Sequence, residues 1–136
     1  MSNEKLILNA SHFLKYELDD FVSLSGRQRI ELKPTNLNNL HPFADDYPAL
    51  LKLSEKITYC VAKAISRLPN QHKKPYQDIF IYYYLEGLYS YEVVSKIGYS
   101  IRRYSAFKKQ AIVEFTNYFN FYALKYGLAS DIELVS

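Results

Sequence analysis

Apolar residues recur at helical spacing along most of this 136-residue chain. Phe13, Leu14, Leu18, Phe21 and Val22 form one stripe and predict an amphipathic helix over residues 9–25. Leu50, Leu53, Ile57, Val61, Ala64, Ile65 and Leu68 form a second and predict a helix over residues 49–68, ended by Pro69. Its opposite face carries Lys52, Lys56, Lys63 and Arg67. A third helix is expected over residues 74–86, with Ile79, Phe80 and Tyr83 buried and Gly87 closing it. Residues 76–136 contain no proline and are free to be helical throughout. Few strand signals compete, so the expected class is all-α, a helical bundle with a long final helix.

The most specific pattern lies in residues 89–111, YSYEVVSKIGYSIRRYSAFKKQA. Ser90 is placed to cap a short helix with Val93, Val94 and Ile97 on one side. Gly98 suits the positive φ of a sharp exit, and Ser100 suits the cap of a second helix starting at Ile101. In that helix Tyr104, Phe107, Ala111 and Phe115 face the core, with Arg102, Arg103, Ala106, Lys109 and Val113 around the other side. Two helices packed at a steep angle, the second one basic, have the form that the major groove of DNA accepts. The second helix is expected to continue to about residue 126. The organisation read from this pattern is an N-terminal helical arm (residues 1–26), an irregular linker (27–48), a helix-turn-helix domain (49–127) and an acidic tail (128–136). Residues 27–48 hold three prolines, three asparagines and no sustained periodicity, which makes the arm separable.

Charge adds direction. The net +3 is mild, but residues 49–75 carry +5 while residues 1–26 and 128–136 carry −2 each. Residues 97–113 hold four cations and no acid, so positive charge concentrates on the middle of the chain and on the candidate recognition helix. A hydrophobic share of 49% marks a globular chain, not a disordered one. Cys60 is the only cysteine, which excludes an intrachain disulfide and a thiolate metal site and fits a reducing cytoplasm. The N-terminus MSNEKLILNASHF lacks a basic, apolar leader and no stretch is long enough to span a membrane, so a soluble cytoplasmic protein is expected.

Enzyme chemistry has little to stand on. His12, His41 and His72 are scattered, with no carboxylate or cysteine at metal-ligand spacing. No glycine-rich phosphate loop or nucleophile motif occurs; Asp45-Asp46 reads as turn chemistry and Asp19-Asp20 as the polar side of the first helix. The expectation is a non-enzyme with no cofactor and no metal.

Residues 64–115, AISRLPNQHKKPYQDIFIYYYLEGLYSYEVVSKIGYSIRRYSAFKKQAIVEF, resemble a sigma-factor region-4-type helix-turn-helix, and in particular the ArpU family of phage and prophage transcriptional regulators. The matching parts are Arg67-Leu68-Pro69, Tyr84-Leu85-Glu86-Gly87, Glu92 to Ser100 and Ser100 to Phe115. The resemblance implies a DNA-binding regulator of late genes, with activation near the polymerase the expected sign by analogy with the sigma-like fold. The chain departs from the family pattern at Ile101, Arg103, Ser105 and Ala106, so a relative's DNA preference does not transfer.

The expected DNA-binding set is Ser100, Ile101, Arg102, Arg103, Ser105, Ala106, Lys108 and Lys109. Arg102 and Arg103 sit in the first turn, where either can fork onto guanine. Lys109 is expected on phosphate, Ser100 and Ser105 as donors to phosphate, and Lys108 partly against the core. The cations of the second helix and Lys73-Lys74 read equally well as an extended phosphate footprint or an ordinary polar face. Phe115, Tyr118, Phe119, Phe121, Tyr122 and Tyr126 are more aromatics than one helix buries alone. Phe115, Tyr118, Phe119 and Tyr122 are therefore expected at a homodimer interface, the competing reading being that the N-terminal helix or linker covers them. The partners implied are double-stranded DNA, a second copy of the chain and, by analogy, RNA polymerase, with no membrane. The alternatives are a DNA-recognition subunit of phage packaging machinery, small-terminase-like, and a protein-interaction module with a degenerate helix-turn-helix.

Overall fold

The two ends of the described chain meet. In the computed structural model, which describes residues 5–40 and 48–136, β1 (Leu6–Asn9) pairs in parallel with β2 (Ile132–Val135), Leu6 opposite Ile132 and Asn9 opposite Val135. Parallel strands need a long crossover, and here the helices make it. They are α1 (Ala10–His12), α2 (Leu18–Leu24), α3 (Ala49–Arg67), α4 (Tyr76–Phe80), α5 (Ser90–Ile97) and α6 (Ile101–Lys125). A π-helical turn, Phe13–Glu17, joins α1 to α2, and a second, Ile81–Leu85, extends α4. The chain is thus mainly helical, as its periodicity predicts, with a two-stranded sheet that the periodicity did not signal.

The predicted stripes are the buried ones. Phe13, Leu14, Leu18 and Val22 join Ile57, Val61, Ile65, Phe80, Phe115 and Phe119 in one core, with Leu128, Ile132 and Leu134 closing it. Leu50 is exposed, so the α3 stripe engages the core only from its second turn. In the third helix Tyr84 is buried and Tyr83 half-buried, one position on from the expected ring. The π-helical turn explains this, because its i→i+5 bond from Glu86 N–H to the Ile81 carbonyl (2.8 Å) rotates later side chains off the α-helical register.

Three expectations about organisation are corrected. The first helical segment is no separable arm, because Ala10, Phe13, Leu14, Leu18 and Val22 are all buried in the common core and detaching it would expose them. The described part of the linker is ordered as 3₁₀ turns, Arg29–Leu32 and Pro34–Asn39, with Leu32 and Leu40 buried. His41, Pro42 and Asp45-Asp46 lie outside the described residues. The acidic tail is a strand, with Ile132 and Leu134 inward and Asn120 of α6 gripping Leu134 through both its N–H (2.9 Å) and its carbonyl (2.8 Å).

The expected dimer interface is corrected too. Phe115, Phe119 and Tyr122 are buried within the chain and Tyr118 is half-buried. Phe13 stands 5.9 Å from Phe119 between ring centroids, so the N-terminal helix supplies the cover that the surplus aromatics need.

Candidate nucleic-acid interface

α5 and α6 are set by local chemistry. Glu92, in the first turn of α5, reaches back to accept the Tyr89 N–H at 3.0 Å. The helix therefore starts one residue earlier than a Ser90 cap implies, and the Ser90 hydroxyl instead hydrogen-bonds the Tyr104 hydroxyl of α6 at 3.2 Å. Gly98 ends α5 at φ 75°, ψ 22°, a left-handed conformation that costs a side chain bearing Cβ about 1–2 kcal/mol. Ser100 then caps α6, its Oγ accepting the Arg103 N–H at 3.2 Å. Beneath the pair, Ile79, Val93 and Tyr104 form a small core, and burial raises the Tyr104 phenol above its ordinary pKa.

The first turns of α6 stand free. Arg102, Arg103, Ser105, Ala106 and Lys109 are exposed with Ser100, and Ile101 keeps 58% of its surface in water. Among the described residues, none of Arg102, Arg103, Lys108 or Lys109 forms an ion pair with a carboxylate. Seven of the eight expected residues thus share one exposed region.

Lys108 does not. It is half-buried, with Nζ 3.6 Å from the centroid of the Tyr83 ring. Burial chiefly lowers its pKa, and nearby Lys15 lowers it further. Its place is the flank of α6, not the outer face with Arg102 and Lys109.

On the opposite flank Arg103 packs over Phe107 (5.6 Å) and Tyr99 (5.9 Å). The Tyr99 hydroxyl donates to the His72 carbonyl, tying the turn that precedes α4 to the segment just before α6. Tyr99 lies in the turn between α5 and α6, outside either helix, so helical spacing does not flag its contact with Arg103 and Phe107. Lys73 and Lys74 are exposed beside that turn. Among the described residues no three His, Cys, Asp or Glu side chains are grouped to hold a metal ion, and no helix is long and apolar enough to cross a membrane. Compared with models of known protein families, with curated proteins and with solved structures, the chain matches none.

Proposed function

We propose that this chain is a sequence-specific double-stranded DNA-binding protein that regulates transcription by laying the start of α6 in the major groove. The observation that carries the reading is the exposed, acid-free first turns of α6, set off from α5 by the Gly98 exit and the Ser100 cap as a helix-turn-helix requires. Arg102 and Arg103 offer planar forks for guanine N7 and O6. Ile101, apolar and exposed, suits the methyl group of thymine. Lys109 and the hydroxyls of Ser100 and Ser105 suit backbone phosphates. By the resemblance to ArpU-type regulators, the role is activation of phage or prophage late genes. A paired complex on two half-sites remains part of the reading, through a surface other than the buried rings of α6.

The test is fluorescence anisotropy with duplex fragments from the neighbourhood of the chain's own gene, titrated with salt and with an unrelated competitor duplex. Retention of one fragment against competitor establishes sequence-specific binding. Loss of all binding even at low salt removes the reading and turns the search to protein partners.

A further inference from the structure

A groove runs between the N-terminal helical segment and the helix-turn-helix. One part is a cleft of about 580 Å³ lined by Lys15, Tyr83 and Ser90 among others. The other is a hollow of about 340 Å³ lined by Ser11, Ser90 and Lys108. Ser90 borders both, so they adjoin. The acids of the cleft are already matched: Asp19 takes Arg29 at 2.5 Å and Glu86 takes Lys33 at 2.8 Å. Lys15 and Lys108 have no such partner among the described residues, yet both converge on one aromatic ring. Lys108 Nζ is 3.6 Å and Lys15 Nζ 5.9 Å from the Tyr83 centroid.

Two ammonium groups drawn to one ring without a carboxylate repel each other, and Lys15 accordingly acts to lower the Lys108 pKa. Burial alone raises the Tyr83 phenol, but Lys108 and Lys15 outweigh burial and leave its pKa lowered. A region that favours negative charge on a half-buried phenol favours it on a bound oxyanion for the same Coulombic reason. Position then selects the anion's source. Lys108 lies six residues beyond Arg102, about 9 Å along the helix axis at 1.5 Å per residue. It sits on the flank of α6, and a helix in a major groove about 12 Å wide brings its flanks to the sugar-phosphate walls.

We propose that Lys15 and Lys108, gathered on the Tyr83 ring with Ser11 and Ser90 at the rim, seat a phosphate of the DNA backbone bordering the groove that receives α6. The inference rests on the duplex-binding reading and extends it. The N-terminal segment becomes part of the interface, because its Lys15 completes a site that α6 alone leaves half-built.

The experiment measures the dependence of duplex affinity on salt for the full chain and for Lys15→Gln, Lys108→Gln and Lys109→Ala. Each lost phosphate contact flattens the log–log slope by about 0.9, so Lys15→Gln and Lys108→Gln are each expected to flatten it by that amount. Lys15 is exposed whereas Lys108 is half-buried, so the Lys15 variant reports on binding even if Lys108→Gln folds poorly. If Lys109→Ala weakens binding while both seat variants keep the parent slope, the seat is wrong and the duplex reading stands. If the parent chain ignores duplex at low salt, the duplex reading falls and the seat is judged on inorganic phosphate, followed by lysine side-chain NMR signals. Saturable shifts that vanish in Lys15→Gln then support the seat with a free phosphorylated compound as its source. Absence of saturation overturns it.

Discussion

The Phe13 ring lies 5.9 Å from that of Phe119, joining the first helical segment of the chain to the last helix. Both rings have no exposed surface. Truncating one therefore opens a cavity instead of freeing an interface. Phe119→Ala is expected to cost about 3–5 kcal/mol of stability, read as a lowered urea midpoint with the sedimentation coefficient of the folded fraction unchanged. A shift in oligomeric state at undiminished stability would restore the interface role for this ring.

Arg29 braces both π-helical turns at once. Its guanidinium donates to the Tyr84 carbonyl at 3.0 Å and the Lys15 carbonyl at 3.3 Å, and its Nε meets Asp19 at 2.5 Å. A π turn breaks the i→i+4 ladder, and the carbonyls it displaces need outside donors. Arg29→Ala removes that donor, and hydrogen bonds to charged groups contribute about 1.5–3 kcal/mol each. A loss of roughly 2–3 kcal/mol is expected, discounted for the exposed Asp19 contact. Arg29→Lys should recover only part of it, since an ammonium lacks the planar fork. Equal stability of the lysine variant and the parent, by urea unfolding, would count against the bracing role.

For DNA, the flank contacts separate two kinds of arginine. Arg103 is held over Tyr99 and Phe107, whereas among the described residues no such ring contact holds Arg102. Arg103→Ala is expected to relax preference at one base pair by about 1–3 kcal/mol, measured by competition between single-base operator variants. Lys109→Ala should instead weaken all duplexes alike and flatten the salt slope. If both variants bind as the parent does, α6 is not the reading element.

Alkali should destabilise the fold through two buried acids. Burial pushes the Cys60 thiol from 9.0 to about 12, and chiefly burial pushes the Tyr84 phenol from 10.0 to about 12. Both folded values exceed the unfolded ones, so above pH 9 the unfolded chain releases protons that the folded chain keeps. This contribution is whole below pH 9 and is lost as pH rises toward 12. Unfolding at a series of alkaline pH values should show a declining midpoint, shallower in Cys60→Ala once its own cavity cost is subtracted. Native Cys60, fully buried, should also resist a thiol reagent at pH 8 and react once the chain is unfolded.

Elements governed by neighbours in the chain were legible in the residues alone. Gly98 and Ser100 bracket the turn because positive φ and side-chain capping are decided within three or four residues, and the structure has both. The apolar stripes of α2, α3 and α6 follow from a 3.6-residue period and are buried much as read. Tertiary structure decided what covers them. The aromatic surplus of α6 is equally satisfied by a second copy or by the chain's own N-terminal segment, and only contact between Phe13 and Phe119 selects the second. β1 and β2 are four residues each and stabilise nothing singly, so their pairing exists only because α1 and α6 bring the ends together. Lys108 belongs to the same class: its spacing puts it on a basic helix, but the Tyr83 ring, from another element, holds its ammonium against the flank. Local propensity is encoded residue by residue, whereas burial is a property of pairs distant in the chain, and a single sequence does not name the second member of each pair.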